Sequence, residues 1–300
     1  MTLPDPSCAD ASTLPYVLLD VFTDRAFSGN PLAVFLEAEH LAADQMQLIA
    51  HELNLSETVF VGSSSGPNRF PVRIFTPTQE LPFAGHPTVG TARLLVERGL
   101  ADSGAALILE EGVGEVSVEC HDDWARFTTA CPLEVTTSAL DRDLAAGLLS
   151  LPSYAIARLP VVASCGVPYQ LIELTSLDAL ARIAIDMALW KSLFIGGGDA
   201  DLYCYVQLGN GKVRARMFAP ASGIAEDPAT GSAAAPLAGH LSSHAKAHER
   251  ATYTIEQGIE MGRPSLIRAD VEYDDSGTQQ IYIAGQAVIV GGGYLLRDKW

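Results

Sequence analysis

The sequence predicts an α+β fold built from two similar halves. The chain has 300 residues, and at roughly 100–200 residues per domain that length favours two domains. Short β-branched and aromatic runs recur with few helices between them, which does not fit a parallel doubly wound sheet. Residues 73–92 (RIFTPTQELPFAGHPTVGTA) are echoed by residues 216–235 (RMFAPASGIAEDPATGSAAA). Each copy has Arg, any residue, Phe, any residue, Pro, and each then reaches a glycine, a polar residue and a small-residue helix start. The echo has two readings: chance similarity between two strand–loop–helix units, or a duplicated domain whose two loops face one another.

Taken in order, Met1 to Pro15 hold no Lys or Arg and no long apolar run. They read as a loose polar tail and lack the makings of a secretory signal. Tyr16–Phe22 and Leu32–Leu36 are strands joined by a turn at Ser28-Gly29-Asn30-Pro31. Asp44–Leu53 places Met46, Ile49 and Leu53 on one face of a short helix, with Asp44 as a possible N-cap. Thr58–Val61 and Val72–Phe75 are strands. Val89–Arg98 is a helix, with Pro87 near its first turn and Gly99 after its end. Ile108–Glu111, Glu115–Glu119 and Arg126–Thr129 form a meander.

In the second half, strands are expected at Tyr154–Ala163, Gln170–Leu174, Leu202–Gln207 and Val213–Phe218, with helices near Asp141–Leu149 and Leu177–Lys191. A helix opening near Gly231 is followed by strands at Thr252–Glu256, Leu266–Tyr273 and Ile281–Val290. The expected division is a tail (1–15), an N-terminal half (16–130, completed by 285–300) and a C-terminal half (131–284).

The chain is 48% hydrophobic and 18% charged, with a formal net charge of −17. Such a composition supports sizeable cores and excludes a disordered chain. The acidic balance argues against nucleic acid and anionic membranes as partners, because both repel it. It leaves open a small anionic substrate, since a pocket's local field can oppose the global charge. The five cysteines include no Cys-x-x-Cys pair, so neither a disulfide framework nor a zinc ribbon is expected. Buried thiols in a reducing compartment fit instead. No run approaches the roughly 18 apolar residues of a membrane span, and the cytoplasm is the expected location.

A helix start exposes unpaired N–H groups and about half a positive charge. A glycine there lets a ligand approach the backbone closely. The segments Gly85-His86-Pro87-Thr88 and Thr230-Gly231-Ser232-Ala233 offer two such starts, suited to a carboxylate or an enolate-like oxyanion. His86 and Asp227 are acid–base candidates beside them. Read singly, His86 could be a cap, and Asp227 before Pro228 could simply start a turn. Glu57, between a helix end and a strand, reads by patterning alone as an exposed loop carboxylate.

The ordered set FSGNPLAVF (27–35), LNLSETVFV (53–61), residues 73–92, EDPATGSAA (226–234) and EQGIEMGRPS (256–265) resembles the PhzF family (phenazine biosynthesis isomerase-like). The resemblance spans roughly residues 16–296. It implies the diaminopimelate-epimerase-like fold: two similar lobes, each a curled, mostly antiparallel sheet around a central helix, with a cofactor-free proton-transfer site in the cleft between them, and commonly a homodimer. It places the family's acid–base glutamate on Glu57, its glycine–histidine pair on Gly85 and His86, its second acid on Asp227, and its second loop on Gly231 and Ser232. Asn30 matches a loop bordering the pocket. Related racemases carry a cysteine beside each loop glycine. Here those positions are Ala84 and Thr230, so a two-thiol racemase is not expected.

The implied activity is an isomerase moving a proton within a small carboxylate-bearing metabolite in a biosynthetic pathway, with no cofactor and no metal. The alternatives are another proton-abstraction enzyme (a dehydratase or a thiol-free epimerase) and a non-catalytic small-molecule-binding protein. Pro236 falls about five residues into the second loop helix, where an interior proline costs about 3 kcal/mol unless it lies in the first turn. His240, His244 and His248 are spaced four apart, as metal ligands can be, but no carboxylate or Cys completes a site, and a solvated face is expected. Gly196–Gly198 and Gly291–Gly293 lack any nucleotide-loop context and read as turns.

Overall fold

The computed structural model describes residues 13–129, 131–194, 199–244, 250–274 and 276–297. The chain divides into two compact units, Met1–Phe127 with Ala284–Trp300, and Thr128–Ile283. No helix among the described residues is long and apolar enough to cross a membrane.

The first unit contains β1 (Thr13–Val21), β2 (Asn30–Phe35), α1 (Ala43–Leu53), β3 (Glu57–Val61), β4 (Arg69–Phe75), β5 (Glu80–Leu81), α2 (Gly85–Glu97), β6 (Leu107–Glu111), β7 (Gly114–His121) and β8 (Trp124–Thr128). The second holds β9 (Glu134–Thr137), α3 (Arg142–Leu148), β10 (Val161–Ser164), β11 (Pro168–Glu173), α4 (Leu177–Ala181), α5 (Met187–Leu193), β12 (Leu202–Gly209), β13 (Lys212–Ala219), β14 (Ile224–Asp227), α6 (Gly231–Ser243), β15 (Ala251–Gln257) and β16 (Ser265–Tyr273). The last strand, β17 (Gln279–Leu296), runs back into the first unit.

The strands pair in one sequence in both units. In the first, β1–β2 is antiparallel, β2–β3 parallel, β3–β4 antiparallel, β4–β6 parallel and β6–β7 antiparallel. In the second, β10–β11 is antiparallel, β11–β12 parallel, β12–β13 antiparallel, β13–β15 parallel and β15–β16 antiparallel. The short return strands also correspond: β5 pairs back on β4, and β14 on β13. A helix follows each return strand, α2 packing against β1, β2, β3, β6 and β7, and α6 against β10, β11, β15 and β16.

The echoed segments occupy matching places in this scheme, and their Arg-x-Phe part is structural. Arg73 grips Glu80 with two bonds of 2.7 Å and lies over the Phe75 ring at 5.2 Å. Arg216 grips Glu226 with two bonds of 2.8 Å and lies over Phe218 at 4.9 Å. Each Arg ties a long strand to its return segment by a bidentate, charge-assisted pair, which fixes where the following helix begins.

Apolar burial fills each unit. Phe35 and Phe60 stack at 5.0 Å, Phe75 meets Phe60 edge-on at 5.6 Å, and Met46 and Ile49 of α1 close over them. In the second unit Leu148, Ile172, Leu180, Cys204 and Phe218 share one cluster.

Several expectations change at this level. Strand β1 starts at Thr13, so part of the expected tail is paired with β17, while residues 1–12 lie outside the described residues. Ala42 caps α1 in place of Asp44, and Gln45 Oε1 accepts its N–H at 3.0 Å. Helix α2 begins four residues earlier than expected, at Gly85, because Pro87 in a first turn has no N–H to satisfy there. The single helix expected over Leu177–Lys191 breaks after Ala181. Ala184 N and Asp186 N bond to the carbonyls of Leu149 and Leu148 at the end of α3, and Asp186 then caps α5 through the N–H groups of Ala188 and Leu189. The strand expected from Tyr154 starts only at Val161, after a 3-10 turn over Ser153–Ala155 and Pro160, which has no N–H for a ladder. Gly291–Gly293 are strand residues of β17, opposite Tyr16–Leu18. A Cβ at Gly292 would sit 2.7 Å from Tyr16 O and one at Gly293 would sit 2.9 Å from the Tyr16 hydroxyl, so glycine is selected by close approach of β1. Pro236 lies inside α6, beyond its first turn.

Candidate active site

In the first unit, three sequence-predicted residues converge where strands β2 and β3 meet the start of α2. Asn30 opens β2 and Glu57 opens β3, and the parallel register sets Leu32 opposite Glu57. The turn before Asn30 depends on Gly29, whose φ is +63° and whose Cβ would lie 2.2 Å from Val21 O; no L-residue fits there. His86, second residue of α2, is buried at 4% exposure. Its Nδ1 lies 3.4 Å from Asn30 Nδ2 and 3.4 Å from Glu57 Oε2. The Asn30 amide nitrogen can only donate, so with the amide in this orientation Nδ1 accepts and the ring proton is assigned to Nε2. Burial pushes the His86 pKa down to about 3, so the imidazole is neutral around pH 7 and its contact with Glu57 is not an ion pair.

Gly85 and His86 are the first residues of α2 after an Ala84 cap that contributes no side-chain bond. Their N–H groups have no partner within the helix by its geometry. Behind the turn, Thr88 Oγ1 lies 2.8 Å from Ala84 O and 2.8 Å from Oε1 of the buried Glu111. Burial pushes the Glu111 pKa up to about 8, against the opposing effect of the Thr88 bond.

The second unit gathers Asp227, Gly231 and Ser232 around the start of α6. Asp227 ends β14, is buried, and accepts a hydrogen bond from the Thr230 hydroxyl through Oδ2. The fully buried Gln257 holds this corner. Its Nε2 donates to Asp227 O at 2.7 Å and to Thr230 Oγ1 at 3.0 Å, and its Oε1 accepts from Tyr203 OH at 3.0 Å and Thr230 N at 3.3 Å. The motif at 256–265 buttresses the corner from below. Gly258, at φ +73°, passes so close that a Cβ would lie 2.7 Å from Pro228 O, and Ser265 Oγ lies within hydrogen-bonding reach of Pro228 O and, at 2.8 Å, of Gln257 O, one of which takes its hydrogen. Ser232 Oγ lies 2.7 Å from Tyr169 OH. Asp201 is a further carboxyl of this group: burial, and then the charge of Asp227, push its pKa up to about 6.

Ala84 and Thr230, the residues before the two loop glycines, are the N-caps of α2 and α6. The description "phenazine biosynthesis-like protein" (PhzC-PhzF) matches the chain over residues 19–293. The chain belongs to the PhzF family. Among its relatives, a trans-2,3-dihydro-3-hydroxyanthranilate isomerase of Pseudomonas chlororaphis is 36% identical, the match covering 94% of this chain and 99% of that protein. An uncharacterized isomerase of Mesorhizobium japonicum is 38% identical over the same shares of both chains. The crystal structure of a PhzF-family protein of Bacillus anthracis superposes with a TM-score of 0.86 at 25% identity, covering 95% of this chain and 99% of that one. The chain is accordingly a PhzF-like isomerase on a sheet-dominated α/β fold shared with epimerase-like structures.

Within this PhzF-family chain, Asn30, Glu57, Gly85 and His86 form one group in the first unit, and Asp227, Gly231 and Ser232 another in the second. Sequence reasoning missed Glu111, Tyr169, Asp201, Tyr203 and Gln257. Two of them had a readable signal: Leu107-x-Leu109-x-Glu111 and Ile255-x-Gln257 put a polar residue on the inward parity of a strand. His240 and His244 touch edge-on at 4.6 Å, and burial lowers the His240 pKa to about 4, so this is no fully solvated face. His248 and Gly196–Gly198 lie outside the described residues. Among the described residues no cluster of three or more His, Cys, Asp or Glu could hold a metal ion.

Proposed function

We propose that this PhzF-like chain is a cofactor-independent isomerase that moves a proton within a small carboxylate-bearing metabolite, with Glu57 as the acid–base group. The carrying observation is the packing of Glu57 against a buried, neutral His86 on the first turn of α2. A carboxylate poised there takes a proton from a carbon next to a π system. The electron pair delocalises toward the substrate's carboxylate-bearing end, and the proton returns at a second carbon. Bonds and electrons balance within one molecule, so the step needs only a base, an acid and anion stabilisation.

In this proposal the N–H groups at Gly85–His86 and Gly231–Ser232 hold the anionic group, Asn30 orients His86, and His86 and Asp227 orient substrate or handle a second proton. The same reading takes the two units as lobes, each sheet curled about its central helix, serving one substrate in a cleft. It also takes the chain as a cytoplasmic homodimer with no nucleic-acid or membrane partner.

Trans-2,3-dihydro-3-hydroxyanthranilate, the compound in the relatives' names, is the first substrate to try. The test is incubation in D2O with that compound and a panel of unsaturated carboxylates, read by mass spectrometry. Deuterium at carbon in an isomer supports the reading. Tight binding of a compound with no exchange at carbon would favour a binding protein instead.

A further inference from the structure

Glu111 takes no part in the reaction as proposed, yet it is buried directly behind the helix turn that carries Gly85 and His86. Thr88 Oγ1 sits at hydrogen-bonding distance from two acceptors, Ala84 O and Glu111 Oε1, at 2.8 Å each. A threonine hydroxyl has one hydrogen and can satisfy only one of them. If it served an ionised Glu111, two oxygen lone pairs would face each other across 2.8 Å at Ala84. The other carboxylate oxygen, Oε2, is buried with no hydrogen-bond partner, a costly place for a charge. Both difficulties vanish if the second hydrogen resides on Glu111.

We propose that Glu111 is a positioning residue held as the neutral acid: its Oε1–H donates to Thr88 Oγ1, the Thr88 hydroxyl donates to Ala84 O, and this chain of two bonds fixes the turn bearing Gly85 and His86. The inference rests on reading that turn as part of the active site.

The surroundings agree. Glu111 shares the inward parity of β6 with Leu107 and Leu109, both fully buried. The charges of the neighbouring strands lie on the other parity, where Arg69 of β4 pairs with Glu110 of β6 and Glu115 of β7. Helix α2 carries His86, Arg93 and, exposed in its last turn, Glu97, and the inward parity of β7 carries Cys120. His86 is neutral, and Arg93 acts on Cys120, which lies past Val118, the residue opposite the far end of β6. Among the described residues no cation acts on Glu111. Above pH about 8, where its carboxyl ionises, the anion would capture the Thr88 hydrogen, release Ala84 O and set a negative charge behind the anion-binding helix start.

The test combines carbon NMR of protein labelled at the glutamate Cδ with pH profiles of kcat/KM for trans-2,3-dihydro-3-hydroxyanthranilate. The resonance missing in Glu111→Gln should carry a protonated-carboxyl shift at pH 7 and titrate near pH 8. Wild-type kcat/KM should fall above that pH, mainly through KM, and Glu111→Gln, whose amide can still donate to Thr88, should lack the fall. Glu111→Leu should lose at least tenfold more kcat/KM at pH 7 than Glu111→Gln. If the leucine variant does not fold, the resonance and the glutamine profile still decide. An ionised Glu111 at pH 7, or coincident profiles for wild type and Glu111→Gln, overturns the inference. Retained activity in Glu57→Gln would instead strike the reading of the turn as catalytic, leaving a carboxyl that titrates near pH 8 in support of the neutral acid.

Discussion

Replacing Gln257 with leucine tests whether the second unit's polar corner is a connected network. The substitution keeps the volume close and removes four hydrogen bonds of 2.7–3.3 Å. The Tyr203 hydroxyl, on a fully buried ring, and the Thr230 N–H each lose the partner they have in Gln257. A buried polar group left unsatisfied costs about 1–3 kcal/mol, so the two together cost roughly 2–6 kcal/mol. That is a large share of the roughly 5–15 kcal/mol that stabilises a typical domain. Urea unfolding followed by circular dichroism measures the loss. The network makes a second demand: Gln257→Leu with Tyr203→Phe removes one of the stranded groups, so the double variant should recover about 1–2 kcal/mol relative to the sum of the singles. A single-variant loss below about 1 kcal/mol, or strictly additive singles, would refute the network.

Further expectations concern the frame and the histidine. Arg216→Met strands the half-buried Glu226 and frees the carbonyls of Leu180 and Ala181; it should cost roughly 3 kcal/mol in the same unfolding assay. His86 has a folded pKa of about 3 against 6.5 for an unperturbed imidazole. The unfolded chain therefore binds the extra proton first, and His86 should withdraw stability as pH falls from about 6.5 toward 3. Nitrogen NMR of labelled histidine should show a neutral His86 ring down to pH 4, and His86→Gln should flatten that part of the stability profile.

Much of this was legible in the residues, and the failures have physical causes. The Arg-x-Phe-x-Pro echo pointed to two units, and it works because each Arg pins a return strand through a glutamate that lies seven or ten residues on. That variable spacing is why Glu80 and Glu226 themselves drew no notice. Helix breaks near Ala181 were hidden because the competing partners, the carbonyls of Leu148 and Leu149, are tertiary. Gly292 and Gly293 read as turns because their reason is the passage of Tyr16 over a neighbouring strand, a contact between chain ends. At the site, Glu57 looked like an exposed loop carboxylate by patterning, and only the family's motif marked it. Its burial comes from the parallel pairing of β3 with β2, which no local pattern encodes. Gln257 and Glu111 were visible in principle, as polar residues on the apolar parity of a strand, a signal that marks burial but not purpose.

The central claim is that Glu57 carries the proton, and Glu57→Gln tests it most directly. The amide is nearly isosteric and cannot take a proton from carbon. General acid–base catalysis contributes about 10²–10⁴ in rate, so kcat for isomerisation of an accepted substrate, and the rate of deuterium entry at carbon in D2O, should both fall by that factor. Ligand affinity measured by calorimetry should stay within a few fold of wild type. Near-wild-type turnover and deuterium entry in Glu57→Gln would contradict the account and pass the role of base to Asp227 or His86.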